Sequence, residues 1–243
     1  MWSVYQKELS GFFSGLVGYL AIGVFLVVLG LILFVFPDTS LLNYNYATLD
    51  QLFEIAPWVF LFLIPAITMR SLAEEQQQRT LELLLTYPIT PTQIVLGKFF
   101  ACVTIAALAL LPTLLYYYTV HELGSPRGNL DAGAIAGSYV GLLFLAAIFC
   151  AIGLFASSLS RNQIVAFLTA ALLCFLVHYG FDFLSAVPLF IGKLDNVIQQ
   201  FGIDYHYRSI SRGLVLLADM VYFTSVAGWF LYTTVLVLNT RRA

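Results

Sequence analysis

The chain has 243 residues, 60% of them hydrophobic and only 10% charged, with a mean hydropathy of +0.90, whereas a soluble domain carries about 25% charged residues. Its solvent is therefore largely lipid. A formal charge of −2, with no cluster of lysines and arginines, excludes a nucleic-acid binder in the usual sense, because neutralising phosphates needs such clusters.

In chain order, Trp2, Tyr5, Leu9, Phe12 and Leu16 recur at three- and four-residue spacing with Ser3, Gln6, Lys7 and Ser10 between them. This is the pattern of an interfacial helix on the inner leaflet. A spanning helix needs about 20 mostly apolar residues, and six stretches qualify: 16–36, 52–69, 99–120, 134–157, 164–187 and 216–238. The expected fold is an all-α integral membrane protein, a single transmembrane domain over 1–243. The first run is too long for a signal-peptide core and has no small-residue cleavage site behind it, so it is expected to stay attached. The second span is the shortest and holds Pro57 and Pro65, which predicts a kink or local unwinding.

With both termini inside, Lys7, Arg70, Arg79, Lys98, Arg161, Arg241 and Arg242 are cytoplasmic, against Arg127, Lys193, Arg208 and Arg212 outside. Seven against four fits retention of positive charge on the inner side. The segment 69–88 is then the longest cytoplasmic stretch. Glu74, Glu75, Gln78, Arg79 and Glu82 supply polar helix formers, Leu81, Leu84 and Leu85 an apolar edge, and Pro88 and Pro91 a stop. The expectation is a short peg offered either to a soluble partner or to lipid headgroups.

In the fourth span, Gly133, Gly137 and Gly141 stack on one face and permit close backbone approach, read first as packing within the chain and second as a subunit contact or moving seam. In the fifth, His178 and Asp182 share a helix face at four-residue spacing. They read as a proton-responsive pair at the outer mouth of a pathway, or as an interfacial pair wetted by water. An amphipathic segment follows, with Ile191, Leu194, Ile198 and Phe201 on one face and Lys193, Asp195, Asn196 and Gln199 elsewhere. Arg212 and Asp219 are seven residues apart, about 10.5 Å of helix rise, so a shared polar patch is expected rather than a direct bond.

The chemistry of hydrolysis is missing. Gly97-Lys98 continues into Phe99 and Gly192-Lys193 into Leu194, so no phosphate-cradling loop is encoded. Gly11-Phe12-Phe13-Ser14-Gly15 has its serine one place too late for a nucleophile elbow, and no zinc helix occurs. Cys102, Cys150 and Cys174 lie inside apolar runs and read as packing residues, with no metal site expected.

The cytoplasmic segment resembles that of type II ABC exporter permease subunits, whose loop after the second span reads Glu-x3-Gly-Thr-Leu-Glu-x-Leu-Leu-x2-Pro. Glu75, Thr80, Leu81, Glu82, Leu84, Leu85 and Pro88 stand at matching positions, and Arg79 takes the place of the glycine, removing a flexible joint and adding a charge. The stretch 157–167 around Arg161 is similar to the family's second cytoplasmic loop. The tail, with Ser211-Arg212-Gly213, Asp219, Tyr222, Phe223 and Arg241-Arg242, is most similar to gliding-motility-associated permeases. The resemblance implies an ATPase-coupling surface at Glu75, Arg79, Thr80, Glu82, Leu84, Leu85 and Arg161. It also implies a separate ABC ATPase holding ATP and magnesium, a second permease copy or related subunit, an inner-membrane location and ATP-driven export, with no cofactor on this chain. Two other readings stand beside it: a membrane subunit relaying ATPase motion without transport, and a proton-coupled carrier built on His178 and Asp182.

Overall fold

Backbone in a bilayer must satisfy its own hydrogen bonds, and helices do this within one segment. The computed structural model describes residues 1–37, 39–41, 48–81, 89–124, 127–188, 195–214 and 216–242, and among them every regular element is helical. The order is α1 (Trp2–Ser14), α2 (Leu16–Phe34), α3 (Asp50–Gln77), α4 (Pro91–Leu110), a 3₁₀ turn (Leu111–Thr113), α5 (Leu114–Leu123), α6 (Ala132–Leu159), α7 (Gln163–Ser185), α8 (Asp195–Gln200), α9 (Ile203–Ile210) and α10 (Leu217–Arg242).

Among the described residues, five segments are long and apolar enough to cross a membrane: α3, α4 with α5, α6, α7 and α10. A sixth is counted when α1 and α2, bent by 70° between them, are taken as a pair. The 19 residues of α2 rise about 28 Å, close to the hydrocarbon thickness of about 30 Å. The bend sets α1 off that axis.

Helix α3 is not unwound at its prolines. It runs unbroken for 28 residues through Pro57 and Pro65, so the peg begins as a continuation of the span. Each proline withholds one N–H from the carbonyl four residues earlier. For Pro57 that carbonyl belongs to Phe53, and the Tyr207 hydroxyl of α9 donates to it at 2.7 Å. Helix α4 likewise starts earlier than the apolar run suggests. Thr90 and Gln93 form a reciprocal capping box with Pro91 in the first turn, so Lys98 lies inside the helix rather than in a loop.

Asp131 caps α6 by accepting from Gly133 N and Ala134 N, each at 3.0 Å, and Asn162 caps α7 at Ile164 N at 2.9 Å. Of these five, α6 is the most enclosed, and α7 and α10 are the least. The main core joins α2, α3, α4, α6, α9 and α10 around Phe25, Phe60, Phe149 and Phe223. A second cluster of Leu72, Leu81, Ile94, Val95 and Leu238 ties the ends of α3 and α10 to the start of α4. A Cβ on Gly97 would lie 3.0 Å from Met1 O and from Val4 Cβ. Both chain termini therefore share one end of the bundle, called here the termini end.

Candidate functional site

Polar groups collect at both ends of the bundle. At the termini end, Lys98 is fully buried, and the surroundings compensate its charge. Its Nζ lies 2.6 Å from Glu8 Oε1 and 3.0 Å from Glu75 Oε2, and donates to Ser71 O at 2.7 Å. Lys7 reaches Glu75 Oε1 at 3.1 Å. Glu75, expected on an exposed peg, is thus turned inward, its side chain only 12% exposed, in a network joining α1, α3 and α4. Leu81, expected on the apolar edge, is also buried, at 4% exposure.

What this end does expose is Gln77, Gln78, Arg79 and Thr80, together with Arg161 and Asn162 of the short α6–α7 link. Arg79 has φ +59°, a left-handed conformation that favours glycine. The reversal after α3 is therefore kept where the related motif carries glycine, contrary to the expected loss of that joint. Glu82, Leu84 and Leu85 lie outside the described residues.

The two exposed stretches are fastened together beneath the surface. The Ser157 hydroxyl accepts from Leu72 N at 3.0 Å and Ala73 N at 2.9 Å and donates to Met69 O at 3.1 Å. Gln76 Nε2 donates to Ser158 O at 3.0 Å. The last turns of α3 and α6 are thereby clamped, and Arg161 follows Ser158 by three residues. Ser157 was legible only as part of a stretch similar to a family loop; nothing local marks its side chain as a clamp.

At the opposite end, the expected pair of His178 and Asp182 is rearranged by α9. Arg208 donates to Asp182 Oδ2 at 2.7 Å and also pairs with Asp204. Within ion-pair range of the His178 ring among the described residues stands Asp204 Oδ1, 3.9 Å from Nε2, beyond hydrogen-bond reach. His178 is boxed by Phe149, Tyr179 and Tyr207. Burial, with Asp182 alongside, pushes the Asp204 carboxyl up to about 7, while Arg208 pulls the other way.

Arg212 is exposed, while Asp219 is buried. Its partner is His206, whose Nδ1 lies 2.6 Å from Asp219 Oδ1 and whose ring stacks on Tyr222 at 4.0 Å. Of the glycine row, Gly137 lies against the chain turn at Gly213, a Cβ there meeting Gly213 O at 2.8 Å, and Gly141 lies against Ile210. Gly213 itself has φ +81°. Gly133, among the described residues, meets its own cap, Asp131. Helix α9, with Ile203, Tyr207 and Ile210 buried at helical spacing, was not foreseen as an element. Of the amphipathic segment before it, Ile191, Lys193 and Leu194 lie outside the described residues.

No group of three or more metal-ligating side chains occurs among the described residues. The arrangement defines a multi-pass helical membrane domain with a polar, clamped surface at one end and a buried charge cluster at the other. Its family is shown by comparison: the model of the ABC-2 family transporter proteins matches residues 36–238, and the chain belongs to that family. It is a membrane permease subunit of an ABC transporter, of a generally non-catalytic class whose membership implies an ABC ATPase partner and, typically, a dimer. A comparison with curated proteins finds no match.

Proposed function

We propose that this permease works in ATP-driven export, with the termini end facing the cytoplasm and the ATPase docking on Gln78, Arg79, Thr80 and Arg161. The observation that carries this reading is the clamp. Because Ser157 and Gln76 bind the end of α3 to the end of α6, a push on either exposed stretch moves both spans. Rocking of two permease halves between inward- and outward-open states then follows from closure of an ATPase pair. An apolar groove of about 640 Å³ between α2 and α3, bordered by Phe167 of α7, supports pairing with a second permease. The similarity of Ser211-Arg212-Gly213, Asp219, Tyr222 and Phe223 to gliding-motility-associated permeases supports that machinery as the setting.

The test is affinity purification from native membranes in mild detergent. Wild type is expected to bring down a P-loop ATPase, and the double variant Arg79→Glu, Arg161→Glu to lose it while inserting normally. Arg79→Gly, which suits the backbone there, should fold at least as well. Recovery of the chain without any ATPase, or undiminished recovery with the double variant, would overturn the reading.

A further inference from the structure

The bend between α1 and α2 encloses, with α3 and α4, a cavity of about 440 Å³ at the termini end. That lies within the usual 300–1,000 Å³ of ligand sites. Its walls divide by chemistry. Lys7, Arg70, Glu74 and Glu75 supply its charged lining, while Gly11, Ala66, Ala101 and Ile105 supply small or apolar surface. An amphiphile fits such a division, with its head among the charges and its chain along the wall.

The charges say which head. Lys7 pairs with Glu75, Arg70 with Glu74 and Lys98 with Glu8, so cations and carboxylates balance. A purely anionic head would meet as many carboxylates as cations. A zwitterion instead matches both members of a pair, its phosphate on a guanidinium and its ammonium on the neighbouring carboxylate. Ser71 also borders the cavity, and its buried hydroxyl has no hydrogen-bond partner among the described residues.

We propose that this cavity binds one phospholipid with a zwitterionic ammonium headgroup, its phosphate and ammonium at Arg70 and Glu74 and an acyl chain along the Gly11–Ala66–Ala101 wall. The bound lipid bridges α1 to the end of α3. The inference needs only that the chain is embedded in a membrane, and stands apart from the ATPase reading.

The experiment uses the purified full chain, stripped of lipid in detergent and titrated with palmitoyl-oleoyl phosphatidylethanolamine or the matching phosphatidylglycerol, with bound lipids counted by native mass spectrometry. Wild type should hold one phosphatidylethanolamine, preferred about tenfold over phosphatidylglycerol. A Cβ on Gly11 meets nothing within 4 Å, so Gly11→Leu fills the cavity without strain, and leucine is the better helix former. This variant should lose the lipid about tenfold with no fall in unfolding temperature. Gly23→Leu, equally open but away from the cavity, should keep it. Glu74→Gln should bring the two lipids to equal binding. Undiminished binding in Gly11→Leu, or equal binding of both lipids to wild type, overturns the proposal. Displacement by millimolar glycerophosphoethanolamine alone would assign the site to a soluble headgroup and overturn it as a lipid site.

Discussion

Asp204 and Asp182 share the guanidinium of Arg208, and one cation cannot fully compensate two carboxylates in a buried setting. Burial first, and the neighbouring Asp182 next, move the Asp204 carboxyl from its ordinary 3.8 up to about 7 against the pull of Arg208. The sign of the linkage follows. Between those values the folded state keeps a proton that the unfolded chain has released, so the contribution to stability is full below pH 3.8 and is lost as pH rises through about 7. The unfolding temperature of the purified chain should carry a component that falls across this window and disappears in Asp204→Asn. The same pH profile in wild type and variant would sink the assignment. At this scale the sequence was only half legible. His178 and Asp182 stood out because ionisable groups in apolar runs are costly. Their real neighbours, Asp204 and Arg208, were hidden because the pairing depends on how α9 folds back, 26 residues further on for Asp182 and Arg208. Glu75 was expected on an exposed peg, and its network with Lys98 was hidden for the same reason: Glu8 approaches Lys98 across 90 positions of sequence and Lys7 approaches Glu75 across 68.

Among the elements, the two prolines of α3 invited a kink or local unwinding, and the helix stays wound, with another element completing it at Pro57. The Phe53 carbonyl, left without its donor by Pro57, is taken by Tyr207. A buried acceptor left unmade costs about 1–3 kcal/mol. Tyr207→Phe should therefore destabilise the chain by about that amount. In a Pro57→Ala background, where position 57 regains an N–H, the penalty should shrink. A thermal-unfolding double-mutant cycle is expected to give a coupling of about 1 kcal/mol between two residues 150 positions apart; additive effects would show that the hydroxyl does not stand in for the missing amide. The long apolar runs announced the spans, since burial in lipid is a property of composition. The ends were less legible. Helix α3 outlasts its apolar stretch because polar residues from Glu74 to Gln77 are good helix formers, and α4 begins at Pro91, eight residues before the apolar run expected at Phe99.

For the whole molecule, the Ser157 clamp decides whether the exposed end answers a partner as one body or as two. Its hydroxyl serves two amides of α3 at once and returns its own proton to Met69 O. Removing it deprives a buried turn of an acceptor while leaving the apolar contacts of α3 and α6 in place. Ser157→Ala should thus leave the bundle folded but loosen its termini end, by about 1–3 kcal/mol of local opening. Hydrogen exchange followed by mass spectrometry should show peptides from 69–77 and from 158–163 speeding up together, by roughly 10- to 100-fold at the slowest amides, with peptides from the middle of α6 unchanged. Acceleration confined to 69–77 would mean that the α6–α7 link is held independently and the two stretches do not act as one surface. Joint acceleration is the mechanical property that a coupling end requires, because force delivered at Arg79 or at Arg161 then reaches α3 and α6 alike instead of being absorbed in a loop.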